Sequence, residues 1–236
     1  MRPGKREQVR TGRPRRAGFT LIELLVVISI IAVMMSISLP ALTQAQREAE
    51  AVHCLANERT LTLAWMQYAI DSEDLLCHPN SFASTLAPNV LVDEVFVCKA
   101  VEDGSVRNSY AISNTMGGEY RDGVTPYEKL HEITGSSGKV VFIDAEPGSL
   151  CCFWPVLQDE GVWKWRPWSW PSKASLQSMT ARHNNGCNMS FADGHCEYRR
   201  WRDPRTLELI KGKIADPNEA SFNNEDLDHM VEILTW

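Results

Sequence analysis

The chain has 236 residues, 24 of them Lys or Arg and 30 Asp or Glu, for a formal net charge of −6. Seven of the basic residues and one acid lie in the first 18, so the remainder holds 17 basic and 29 acidic residues and a net charge of −12. An acidic body of this kind argues against nucleic acid as a partner, and the length leaves room for one soluble domain beside a membrane helix.

Residues 1–18 form a basic leader that ends in Arg13, Arg15, Arg16, Ala17 and Gly18. Phe19 to Leu39 then make 21 residues, almost all apolar. That is long enough to cross a bilayer core of roughly 30 Å at about 1.5 Å per helical residue. One carboxylate, Glu23, sits five residues in, where it is costly in lipid unless a partner neutralises it. The small-residue site precedes the apolar core, the reverse of a secretory signal, so cleavage after Gly18 retains the helix. Cleavage also creates a positive amine on Phe19, one helical turn from Glu23. Within one chain the axial geometry suits that pair poorly; an amine from a staggered neighbour can neutralise the carboxylate. The basic leader stays cytoplasmic and the bulk of the chain lies outside.

The string from Gly18 to Pro40, GFTLIELLVVISIIAVMMSISLP, resembles the N-terminus of type IV pilins and type II secretion pseudopilins. The resemblance implies that a prepilin peptidase cuts after Gly18 and that Phe19 is N-methylated. It implies that Glu23 pairs with the terminal amine of a neighbouring subunit, and that Pro40 bends or locally melts the helix. The partners it implies are the peptidase, other pilin or pseudopilin subunits and an inner-membrane assembly platform. It also implies a structural subunit rather than an enzyme, single-pass in the inner membrane with its C-terminal domain in the periplasm.

Beyond Pro40 neither Pro nor Gly occurs before Asp71. Leu42, Ala45, Ala49, Val52, Ala56, Leu63, Met66 and Ile70 recur at helical steps, which predicts an amphipathic continuation with this stripe packed on the soluble domain. Short strands are expected at 95–99, 109–114 and 139–144, and a short helix at 127–133. Lys139 to Asp144 is the clearest strand and reads as central in a sheet.

Residues 151–171 hold five of the eight tryptophans. Trp163 with Trp165, and Trp168 with Trp170, alternate, so in an extended chain each pair shares a face. One reading is an aromatic platform for a glycan or a partner protein; the other is a loop that fills space on the sheet. The platform supports a second functional reading, a membrane-anchored binding protein.

Arg182 to Trp201 reads RHNNGCNMSFADGHCEYRRW. Asp193-Gly194 predicts a hairpin with strands at 187–192 and 195–201. His183, nine residues, then Asp193-Gly194 resembles a C-terminal signature of pseudopilin-like proteins from planctomycete-type bacteria. Asp193 and Gly194 are accounted for by the turn. His183 has no such account; the two readings open to it are a bond to the strand containing Asp144 and a plain surface residue.

Seven cysteines in an extracytoplasmic domain permit disulfides, and the odd number leaves one free or shared between chains. Cys54 with Cys98 is an attractive pair, because it would pin a strand onto the long helix. Zinc at His183, Cys187, His195 and Cys196 is disfavoured. A two-residue turn pairs Phe191 with Cys196 and Cys187 with Arg200, placing Cys187 and Cys196 on one face about 13 Å apart and His195 on the other. No cofactor is assigned. Calcium is a further option, with Asp203, Asp216, Glu219, Glu225, Asp226 and Asp228 as oxygen donors but no EF-hand spacing. After 202 the chain is acidic and expected to be peripheral, with helices opened by Asp203-Pro204 and by Asn224, the second presenting Leu227, Met230, Val231 and Leu234.

The expected fold is α+β and pilin-like: a long N-terminal helix, transmembrane in its first half, packed on an antiparallel sheet. The expected divisions are a leader (1–18), a transmembrane helix (19–40), its amphipathic continuation (41–74), an extracytoplasmic domain (75–201) and an acidic tail (202–236).

Overall fold

The computed structural model describes residues 19–236 except 102–105, 107, 121–122, 147–151, 166–178, 215 and 236. The chain divides into two compact units, Met1–Gln44 and Ala45–Trp236. Helix α1, Leu21–Asp71, supplies the described part of the first unit and opens the second. The helix continues through Pro40. It is long and apolar enough to cross a membrane, and the apolar window is wholly exposed.

In the second unit α1 is followed by helix α2 (Phe82–Leu86) and then by strands β1 (Tyr110–Ser113) and β2 (Val140–Asp144). Next come β3 (Cys152–Phe153), β4 (Val156–Asp159), β5 (Val162–Trp165), β6 (Gly186–Phe191) and β7 (Cys196–Arg200). Helices α3 (Pro204–Ile210) and α4 (Glu225–Thr235) complete it. Five strands form one sheet in the order β3-β1-β2-β6-β7, and β4-β5 is a separate hairpin. The sheet is antiparallel except where β3 joins β1 in parallel. The fold is thus α+β with a long N-terminal helix, as the sequence indicates, and the sheet is mixed by one edge strand.

Every residue of β1, β2 and β6 is buried because the sheet is covered on both faces. Side chains alternate between two cores. Tyr110, Ile112 and Phe142 join Leu61, Trp65 and Ala69 of α1, with Phe82, Leu86 and Phe96 beside them. Ala111, Ile143, Met189 and Phe191 join Trp154, Trp165, Leu209, Met230 and Leu234. The C-terminal segment therefore supplies seven of the twenty described buried residues of the second core and is not peripheral. Its helices are capped as the sequence indicates: Asp203 accepts from the Arg205 N–H at 2.8 Å, and Asn224 from those of Asp226 and Leu227.

The apolar stripe read on α1 is not the face that docks. Val52, Ala56, Leu63 and Ile70 are exposed, while Cys54, Asn57, Glu58, Leu61, Thr62, Trp65 and Ala69 are buried. The buried face lies roughly half a turn away. Trp65 and Leu61 fill more core volume than the alanines of the stripe. The polar members of the buried face find partners in the sheet, as Thr62 does at Ser190 Oγ, 2.7 Å away.

The strand expected at 95–99 is also absent. Asp93–Phe96 is a 3-10 turn that inserts Val95 and Phe96 into the first core. A short apolar run has no periodicity that separates a strand from any other buried segment. At 127–133 the regular part is likewise a 3-10 turn, Leu130–Glu132. The β4-β5 hairpin occupies part of the tryptophan segment. It turns at Glu160 and Gly161, both with positive φ, and a residue-Gly pair between alternating flanks was its signal.

The choice of face sets a prediction. Leu61→Ala should cost about 2–5 kcal/mol in urea unfolding of the folded chain, because it hollows the core. Leu63→Ala, on the stripe, should change stability by less than about 0.5 kcal/mol. The opposite ranking would mean that the stripe is the docked face.

Candidate functional site

Two places carry the sequence-read residues. The first is the start of α1. Gly18 lies outside the described residues, and Phe19 is exposed. Glu23 stands in the first turn and accepts from the Thr20 N–H and Oγ1–H, each at 2.8 Å. The Glu23 N–H donates back to Thr20 Oγ1 at 3.2 Å. This reciprocal capping box satisfies end groups of the helix within one chain.

The second place is built around β6. Asn184 and Asn185, both at positive φ, make a two-residue turn between His183 and Gly186. That turn fixes His183 at the foot of the strand. Gly186 is required there, since a Cβ would meet the Arg199 carbonyl oxygen at 2.1 Å. At the other end Ser190 pairs with Cys196, so Ala192, Asp193 and Gly194 form a three-residue loop. The expected two-residue turn is off by one. Gly194 adopts φ +89°, and the Asp193 carboxylate accepts from the His195 N–H at 3.0 Å, which stabilises the longer loop. A one-residue slip exchanges faces. Cys187 pairs with Arg199, and Cys196 lies on the other face from it. His195 shares the face of Phe191 and stacks on its ring, with centroids 4.3 Å apart.

His183 and Asp193 do not meet; they bracket β6. Between them the strand lies against α1. Asn188 Nδ2–H donates to the Ala51 carbonyl at 3.0 Å, Thr62 meets Ser190, and Gly194 faces Met66.

His183 is buried in a polar cluster. Its Nε2 lies 3.2 Å from Asp144 Oδ2 and 3.3 Å from Cys98 Sγ. Cys98 forms a disulfide with Cys54 of α1, with Cα atoms 5.2 Å apart. Asp144 Oδ2 also accepts from the Asn188 N–H at 2.9 Å. Tyr110 pairs across the sheet with Asp144, and its hydroxyl donates to the Cys54 carbonyl at 3.4 Å. Glu58, one turn beyond Cys54, is fully buried, and neither of its oxygens has a hydrogen-bond partner. Burial, and next the Asp144 charge, pushes its carboxyl well above the usual range. The same burial and charges raise the Tyr110 hydroxyl and the Cys187 thiol. Cys54–Cys98 and the approach of His183 to Asp144 were both readable as options in the sequence. Glu58 was missed, because it reads as a solvent-facing residue of the helix. Its signal was its place with Cys54, Leu61, Trp65 and Ala69 at steps of three and four.

The zinc set His183, Cys187, His195 and Cys196 is not brought together. Burial raises the Cys196 thiol to about 12, which makes it a poor nucleophile near neutral pH. Of the platform residues, Trp165 is fully buried in the second core and offers no stacking face, and Trp163 is half-buried. Trp168 and Trp170 lie outside the described residues. Among the acids considered for calcium, Asp203 and Asp216 accept from the backbone N–H groups that open the short helices after them. Asp226 is buried and accepts from the Arg202 and Asp203 N–H groups.

Residues 13–39 match the family model of the prokaryotic N-terminal methylation motif. The chain carries a prepilin-type N-terminus. The matched segment holds Gly18, Phe19 and Glu23 and stops one residue before Pro40. No curated protein and no solved structure matches the chain. The motif, together with the exposed apolar half of α1, supports a membrane-anchored subunit of prepilin type.

Glu58 gives this subunit a pH signature. A carboxyl raised in the folded state stabilises the fold below its unfolded pKa of about 4.3, and that contribution is lost as pH rises through the folded value. The disulfide form should therefore lose stability relative to Glu58→Gln as pH rises above the unfolded value of about 4.3. Urea unfolding at each pH reads this directly. Parallel pH profiles would mean that Glu58 ionises freely in the fold.

Proposed function

We propose that the chain is a prepilin-like structural subunit. A prepilin peptidase cuts it after Gly18 and methylates the amine of Phe19. Phe19 to Leu39 holds it in the inner membrane, single-pass, with its C-terminal domain in the periplasm. From there an assembly platform draws it into a type II secretion pseudopilus or a type IV pilus-like filament.

The observation that carries this reading is the methylation motif at residues 13–39 with its carboxylate at the fifth position after Gly18. The chemistry favours it. A lone carboxylate in an apolar helix is costly, and the new amine of a neighbouring subunit neutralises it only in the correct stagger. The Thr20–Glu23 capping box holds the carboxylate at the helix start, where such an amine can reach it. The stripe of Val52, Ala56, Leu63 and Ile70 adds a contiguous apolar face that the soluble unit leaves open. A second copy or another pilin subunit is the occupant that fits assembly.

Intact mass of the membrane-extracted chain tests the pathway. The expected mass is that of residues 19–236 plus one methyl group. An uncut chain in a host with prepilin peptidase would overturn the reading. Glu23→Ala should abolish filament incorporation while leaving cleavage and the unfolding of the soluble unit unchanged. Incorporation at the wild-type level would remove Glu23 from assembly.

A further inference from the structure

The polar cluster beneath His183 has acceptors without donors. Both Glu58 oxygens and Asp144 Oδ1 are buried and without a hydrogen-bond partner. Buried carboxylates in this state call for a cation or a proton. One ligand atom each from Cys54, Cys98, Asp144 and His183 lie within 4.8 Å of one another, and all four residues are buried. A tetrahedral zinc with bonds of about 2.0–2.3 Å sets its ligand atoms roughly 3.3–3.8 Å apart. His183 Nε2 stands 3.3 Å from Cys98 Sγ and 3.2 Å from Asp144 Oδ2, close to two such edges. The third requirement is that the two sulfurs be separate thiolates, which the disulfide prevents.

We propose that the dithiol form of this chain binds one zinc-class divalent cation at Cys54, Cys98, His183 and Asp144, and that the disulfide is the cation-free form of the same site. Two sulfurs and an imidazole select a borderline-soft metal over calcium or magnesium. Four buried protein ligands leave no open position, so the site is structural rather than catalytic. It joins α1 through Cys54, the loop after the 3-10 turn through Cys98, β2 through Asp144 and the foot of β6 through His183. Glu58, buried beside the cluster without a partner, is a further carboxyl whose charge a bound cation would offset. The two forms interconvert in a balanced step. A disulfide-class oxidant accepts two electrons from the thiolates and takes up two protons. It leaves as two thiols while the Cys54–Cys98 bond forms and the cation is released.

The test uses the full-length chain in detergent, reduced with a phosphine and titrated with cobalt(II). One equivalent should bind, with a thiolate-to-cobalt charge-transfer band that zinc abolishes. Cys54 and Cys98 should then resist alkylation, and the disulfide form should show no band. His183→Ala and Glu58→Gln should each weaken binding by about 10-fold or more. Cys196→Ser should bind as the parent does. A reduced chain that stays folded by circular dichroism but gives no charge-transfer band would overturn the proposal. So would a band that survives when Cys54→Ser and Cys98→Ser are combined, or a reduced chain that unfolds despite excess zinc.

Discussion

The seating of β6 on α1 is the constraint from which the rest of the soluble unit follows. Asn188 and Ser190 reach the helix from one face of the strand. Cys187, Met189 and Phe191 therefore point into the opposite core. That alternation obliges the sheet to be covered twice, once by α1 with the segment around Phe82 and Phe96, and once by the C-terminal helices with the β4-β5 hairpin. The interval from His183 to Asp193 is the length of this seated strand plus its turns. His183 anchors the foot, and the Asp193-Gly194 loop sets the register at the tip.

Helix α1 serves two environments with one backbone. In the first unit its side chains are apolar apart from Glu23, Ser29, Ser36, Ser38, Thr43 and Gln44, which suits a lipid or subunit surroundings. In the second unit the buried face mixes Leu61 and Trp65 with Glu58, Asn57 and Thr62. Burying polar groups is costly unless each is matched. Thr62 and Asn57 are matched by Ser190 and Tyr110, which fixes rotation of the helix against the sheet. Glu58, Asp144 Oδ1 and the Trp65 indole N–H are the unmatched part. Burial, and next the Asp144 charge, disfavours a charged Glu58 there.

The disulfide and the proposed cation are alternative answers to one problem. Cys98 arrives on a segment with little regular structure, and a crosslink to Cys54 gives it a fixed position beside His183. A covalent bond restrains the chain but adds no positive charge near the two acids. A bound cation would do both. The same four residues can therefore hold the fold together in either redox state.

How much was readable from residues alone follows from the range of each interaction. The sequence by itself determined what depends on neighbours in the chain: the apolar span with its carboxylate, the long helix, β1, β2, the hairpin at Asp193-Gly194 and the caps of α3 and α4. Each rests on periodicity or on a side chain bonding within a few residues. It also narrowed Cys54–Cys98 and the approach of His183 to Asp144 to workable options. Only the tertiary structure decided which face of α1 is buried, because two faces were apolar enough and the partners that chose between them, Ser190 and Tyr110, are distant in the chain. It likewise decided the hairpin register, where the Asp193 side chain favours three loop residues over two. It turned the expected strand at 95–99 into a 3-10 turn and drew the acidic C-terminal segment into the core. Glu58 belongs to the same class. Its helical spacing with Cys54, Leu61 and Trp65 is the one local mark of its burial, and its meaning depends on a strand, a loop and a turn that only folding brings to it.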